Sequence, residues 1–227
     1  MLRTSMKMAA AALAAGALLS ACGQVKMGAA AVMTSQRIST STLSAEVSNL
    51  NQGYQRYKGK VALQYPVSQM PQQVLSWLVR FRVRDQLAEE KGIRVTPAQV
   101  QSAFALIKSQ AQSATPGQPV SLPELAVANG LPPNLLDELG NYQAVEIAYA
   151  EKANGGKLPT ATASVNAITK QFNTAECHVY KSDAVKVSPQ FGQFNFTQSS
   201  VVAAPDTLSA AGGAAPKNST SGTTPSC

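Results

Sequence analysis

Residues 70–92 read MPQQVLSWLVRFRVRDQLAEEKG, and the spacing of their apolar residues decides the fold. Met70, Val74, Trp77, Leu78 and Phe81 recur at helical intervals and share one face. Leu75, Val79 and Val83 fall on the opposite face. A helix that is apolar on two sides needs neighbours covering both. The segment is therefore expected to be the central helix, ending near Gly92, since glycine accepts the left-handed turn that closes many helices.

Downstream, Thr96-Pro97-Ala98-Gln99 combines a cap, a proline at the first helical position and a capping-box glutamine. Val100, Phe104, Ile107 and Ala111 follow at helical spacing. Residues 113–119 are Ser, Thr, Pro, Gly, Gln and Ala, a loop composition. Ser121-Leu122-Pro123-Glu124 reads as a second capping box, opening a short helix that stops at Gly130. Pro132 and Pro133 launch another helix with Leu135, Leu139, Tyr142, Tyr149 and Ala150 along one side, closed by Asn154-Gly155-Gly156. A further helix is expected near 162–174, with Val165, Ile168 and Phe172.

Upstream, residues 28–38 read as a short strand and a turn. Ser39 can then cap a helix carrying Leu43, Val47, Leu50, Tyr54 and Tyr57, with Gly53 inside it as a weakness. Past the last helix the period changes to two. Val185 and Val187 alternate with polar neighbours, Pro189 breaks the run, and Phe191, Phe194 and Phe196 make an aromatic-rich turn. From residue 199 the chain is mostly Ala, Ser, Thr, Gly and Pro, too poor in large apolar residues to order itself. The expected architecture is mostly α: a helical domain over 28–198 with a short strand near each end, and a disordered tail over 199–227.

The N-terminus carries a different signal. Arg3 and Lys7 precede an unbroken apolar run from Met8 to Leu19, short of the roughly 20 residues of a spanning helix. A positive flank, a short apolar core and small residues make a secretory signal. It ends in Leu19-Ser20-Ala21-Cys22, which resembles the lipobox of bacterial lipoproteins. That resemblance implies a diacylglyceryl group on the Cys22 thiol, removal of residues 1–21, a tether over 22–27, and attachment to the outer face of the cytoplasmic membrane. One acyl chain binds only marginally, at about 0.8 kcal/mol per buried methylene, but two hold firmly.

Removing residues 1–21 leaves 206 residues, enough for one or two domains with a real core. The formal charge of +7 becomes about +5 without Arg3 and Lys7. A basic exported chain can favour anionic lipids or wall polymers; nucleic acid is not an expected partner once the chain leaves the cytoplasm. With Cys22 lipidated, Cys177 and Cys227 remain, and outside the cytoplasm they can pair.

Catalytic constellations are sparse. His178 is the only histidine. It reads as a strand residue beside Cys177, which points to the opposite face, and the two supply too few ligands for a structural zinc site. The sequence holds no G-x-S-x-G elbow, Walker loop, G-x-G-x-x-G or H-E-x-x-H. Glu89-Glu90 and Asp137-Glu138 diverge on their helices. Arg80 and Arg84 share one side of the central helix while Arg82 faces away, so they are expected to flank the apolar stripes with their stems packed down. No catalytic residue, metal or cofactor is assigned, and an enzyme is not expected.

Together these segments resemble the N-terminal chaperone region of the SurA and PrsA family of exported foldases, over roughly residues 28–198. The match rests on the early strand leading to Arg37-Ile38-Ser39 and on the helix from Val74 to Gly92. It continues through Gly92-Ile93-Arg94-Val95-Thr96-Pro97-Ala98-Gln99-Val100 and ends at Val185-Lys186-Val187-Ser188-Pro189-Gln190-Phe191-Gly192. The resemblance implies that the late strand around Val185–Val187 returns to pair beside the early one around Ala30–Met33. Full-length relatives add a parvulin isomerase domain with several histidines; this chain departs from that pattern. What the resemblance then implies is ATP-independent holding of unfolded exported polypeptides, without prolyl isomerisation. The alternative is a structural or regulatory lipoprotein that keeps the fold and binds one folded envelope partner.

Overall fold

The structure, a computed structural model, describes residues 28–34, 36–114 and 121–204. The expected signal and tether, over residues 1–27 with Cys22 among them, and Cys227 lie outside the described residues. The order is β1 (Ala29–Val32), β2 (Arg37–Ser39), α1 (Thr40–Arg56), α2 (Met70–Glu90), α3 (Pro97–Ala114), α4 (Leu122–Ala128), α5 (Leu136–Ala153), α6 (Thr162–Ser182), β3 (Lys186–Val187), β4 (Gln193–Asn195) and β5 (Ser200–Val202). The protein is mostly helical, as expected. Among the described residues no helix is long and apolar enough to cross a membrane.

The helix α2 is central. Val74, Leu75, Val79, Val83 and Leu87 are all completely buried, because α1 covers one side while α5, α6 and β5 cover others. Its end follows from Gly92, at φ +57°. The Gly92 amide donates to Glu89 O at 3.0 Å and the Ile93 amide to Ala88 O at 2.8 Å, the two bonds of a Schellman turn. Lys152 adds its ammonium to Lys91 O at 2.6 Å, where the negative end of the helix dipole favours a cation.

The early and late strands pair. Ala31 opposes Val187 and Val32 opposes Lys186, antiparallel, so β1 lies between β2 and β3. Ala29, Ala30 and Ala31 are buried in succession, which means that both faces of β1 are covered, since successive side chains point to opposite faces. Ser39 closes β2 and caps α1 together: its hydroxyl accepts from the Thr42 amide at 3.0 Å. Gly53 proves to be a packing requirement. A Cβ there would lie 2.9 Å from both Pro133 Cγ and Val127 Cγ2, so the glycine lets α1 approach the α4–α5 connection.

Four expectations need correction. The helix over 162–174 continues to Ser182, so Cys177 and His178 are helical and belong to no strand. Phe172, Val179 and Tyr180 keep helical spacing and are buried, and that continues the amphipathic face. The tail does not begin at 199, for Ser200–Val202 pairs with Gln193–Asn195. Val201 is buried, and its amide donates to Ser76 Oγ at 2.8 Å on the central helix. A three-residue strand is lost in the average composition around it. The segment at Ser121 is not a side-chain capping box: its hydroxyl makes no cap bond, and only its carbonyl receives the Leu125 amide, at 2.9 Å. Pro123 removes one of the two amides that such a cap addresses. Finally, Pro133–Leu135 forms a 3-10 turn before α5 rather than its first turn.

Candidate functional site

The helix α3 is held mainly by α5, through a contact that depends on a glycine. A Cβ on Gly140 would meet Phe104 Cζ at 2.6 Å and Val100 Cγ1 at 2.9 Å. The Thr96 and Gln99 pair starts α3 as a reciprocal capping box: the Thr96 amide donates to Gln99 Oε1 at 2.8 Å, and the Gln99 amide to Thr96 Oγ1 at 3.3 Å. Gln99 also donates from its amide nitrogen to Glu151 on α5. These contacts fix one part of α3 and leave its apolar row Ala103, Leu106, Ile107 facing a space between helices.

That space is a groove of about 610 Å³. One wall is α3, the second is Ile147 and Ala150 of α5, and the third is Val165, Ile168 and Phe172 of α6. Leu158 and Pro159, from the α5–α6 connection, complete the lining. Leu106, Leu158 and Val165 are 48, 52 and 38 % exposed. They are three of the four large apolar side chains most open to water among the described residues, and all three converge here. Fully burying one such side chain contributes about 1.5–3 kcal/mol, and here much of it is left unrealised.

Behind the groove floor lies the one strongly buried cation of the central helix. Phe172, 1 % exposed, forms the floor. Its ring packs edge-on to Tyr149 with centroids 5.1 Å apart, and the Arg84 guanidinium sits 4.5 Å from its centroid. Arg84 also stacks 3.8 Å above Tyr142. Its Nε donates to Glu176 Oε1 at 2.8 Å and a terminal nitrogen to Tyr142 O at 3.1 Å. Glu146, which lines the groove, stands 3.9 Å from the same guanidinium. Burial pushes the Tyr142 hydroxyl's pKa above the ordinary tyrosine value, so that ring remains a neutral platform for the cation.

The arginines divide as expected: Arg82 is exposed while Arg80 and Arg84 face inward. Arg80 Nε donates to Ser199 O at 2.8 Å and its guanidinium lies 5.1 Å from the Trp77 ring centroid, tying the last hairpin to α2. Trp77 donates to Asn129 O at 3.0 Å and packs with Phe81 and Tyr142, in a cluster separate from the groove.

The residues singled out in the sequence do not form one site. Cys177 lies on α6 and is disulfide-bonded; Cys22 and Cys227, the other two cysteines, are outside the described residues. His178 is exposed on α6, beside Lys91, Tyr149 and Lys170. No cluster of three or more His, Cys, Asp or Glu able to hold a metal occurs among the described residues. What sequence reasoning missed is the groove: Val165 reads as one apolar position of a helical face, Leu106 and Leu158 are not singled out, and only their lack of covering neighbours distinguishes the three. Comparison with family models, with curated proteins and with solved structures finds no match to this chain.

Proposed function

We propose that this chain is a lipid-anchored, extracytoplasmic holdase that shields apolar segments of unfolded exported polypeptides without ATP and without prolyl isomerisation. The observation that carries the reading is the groove between α3, α5 and α6, where Leu106, Leu158 and Val165 stand open to water. A concave, mostly apolar groove with a few polar groups at its edge is a common form of binding site. Apolar contact makes few directional demands, so one groove accepts many sequences at modest affinity. The pairing of β1 with β3 supports the resemblance to the SurA and PrsA chaperone region. Cys22 in its lipobox setting supports anchoring at the membrane, where such clients emerge.

The test is aggregation of several unrelated unfolded proteins, followed by light scattering with the mature chain present. Suppression across the panel, weakened at least severalfold by Leu106→Gln with Leu158→Gln, supports the proposal. Those exposed positions tolerate polar side chains, so the variant keeps its fold, to be checked by circular dichroism. No suppression, together with recovery of one stoichiometric folded protein on the immobilised chain, would favour a structural or regulatory lipoprotein instead. Cys22→Ser should abolish lipid labelling and leave precursor or released protein; a variant that stays on the membrane after normal cleavage removes the anchoring part.

A further inference from the structure

We propose that the groove selects apolar segments that carry a basic side chain, an inference that rests on the holdase reading. Its basis is the distribution of charge around the groove. Of the fourteen residues lining it, one is ionisable, Glu146. Its side chain is 43 % exposed and 3.9 Å from Arg84. Arg84 is already held by Glu176 at 2.8 Å, so two carboxylates share one guanidinium and the excess negative charge is the one that reaches the groove.

The lysines of the surrounding helices face elsewhere. With 3.6 residues per turn, Lys108 lies roughly 150° around α3 from the row Ala103, Leu106, Ile107, Gln110. Lys170 lies roughly 150° around α6 from the row Val165, Ile168, Thr169, Phe172. On α5, Lys152 is turned away and caps the carbonyl of Lys91. Lys157 precedes Leu158 but is not among the lining residues. A mature chain of formal charge about +5, the +7 of the full sequence less Arg3 and Lys7, thus presents, among the described residues, a single carboxylate at its apolar groove. The occupant that complements this surface is an apolar peptide segment with a lysine or arginine whose head reaches Glu146 while its stem packs on the aliphatic wall.

A groove preference for basic segments is opposite in sign to the protein's overall charge, which attracts acidic peptides at long range. Two labelled peptides of about ten residues share one Leu- and Ile-rich core and differ in flanking lysines or glutamates. Each is titrated by fluorescence anisotropy with the full mature chain carrying Cys22→Ser, which needs no detergent, at about 0.15 M salt where long-range attraction is largely screened. A half-exposed ion pair contributes about 0.2–1 kcal/mol, so the basic peptide should bind about 1.5- to 5-fold more tightly. Glu146→Gln should level the two and Glu146→Lys should reverse them. Equal or tighter binding of the acidic peptide, or a preference that survives Glu146→Gln, overturns the inference. If both peptides bind equally and Leu106→Gln weakens both, the holdase reading stands and the charge preference alone falls. If neither binds, both fall. Binding that appears only after removal of residues 205–227 would assign the groove to the chain's own C-terminal segment. Self-association abolished by Leu106→Gln would assign it to a second copy. Either result overturns the proposal.

Discussion

Replacing Arg84 by methionine removes a guanidinium that is 5 % exposed, together with its 2.8 Å bond to Glu176 and its 3.1 Å bond to Tyr142 O. The Glu176 carboxylate, itself only 15 % exposed, is then left without its cation. Breaking a buried pair from one side costs about 3–5 kcal/mol, because a charge stays buried and uncompensated. Glu176→Met leaves the guanidinium with Tyr142 O and with Glu146 at 3.9 Å, so its cost should fall at the lower end of that range. The double variant Arg84→Met with Glu176→Met replaces the pair by apolar side chains. It should lie within about 1.5 kcal/mol of the parent, since such replacements are often neutral or stabilising. With a urea slope of about 2 kcal/mol/M, each single change lowers the unfolding midpoint by roughly 1.5–2.5 M, and the double restores most of it. Trp77, whose ring lies 6.2 Å from Tyr142, reports the transition by fluorescence. Single variants that each cost under about 1 kcal/mol, or a double that equals their sum, would refute the assignment of Arg84 and Glu176 as one coupled, buried unit.

Three further outcomes follow from other parts of the structure. Burial pushes the Tyr65 hydroxyl from 10.0 to about 12, and this hydroxyl donates to Val127 O at 3.3 Å. The folded state therefore favours the protonated phenol: its contribution is full below pH 10 and is lost as pH rises toward 12, so Tyr65→Phe should flatten the alkaline side of a stability curve. Gly192→Ala puts a Cβ 2.1 Å from Val202 O at φ +118°, so the β4–β5 hairpin should detach, seen as faster amide exchange at Val201. We propose Cys227 as the partner of Cys177, because lipidation would occupy Cys22. Non-reducing peptide mapping of the protein should recover a Cys177–Cys227 link, and a Cys22–Cys177 link would exclude both that pairing and a lipid on Cys22 of the same molecule.

The helical frame was legible because its signals are local and redundant. The two apolar stripes of residues 70–92 announce a covered helix on each side, and the reciprocal bonds of Thr96 and Gln99 depend only on residues three apart. Long-range requirements were harder to read. Gly53 looks like a weakness in a helix until Pro133 and Val127 are seen against it. Arg84 looks like a flanking residue until Glu176 approaches from a helix 92 positions away. Continuation of α6 through Cys177 and His178 was obscured by the valine and tyrosine that follow, whose strand preference yields here to burial on the helical face.

The groove was illegible for a different reason. Binary pattern predicts which residues prefer to be covered, and Ile107 and Val165 satisfy it as well as core residues do. It does not predict whether enough neighbours exist to cover them. That depends on where Gly140 seats α3 against α5 and on how Leu158 and Pro159 turn the chain into α6. A helix held along one face and bare along another carries apolar surface that folding has not used, and that surplus remains available to a partner. Its energetic signature differs from that of core packing: Leu106→Gln should leave folding stability nearly unchanged, because the side chain is already half in water, whereas truncating a buried leucine such as Leu87 costs about 2–5 kcal/mol. A loss of client holding without a loss of stability is the pattern that separates a binding surface from a core.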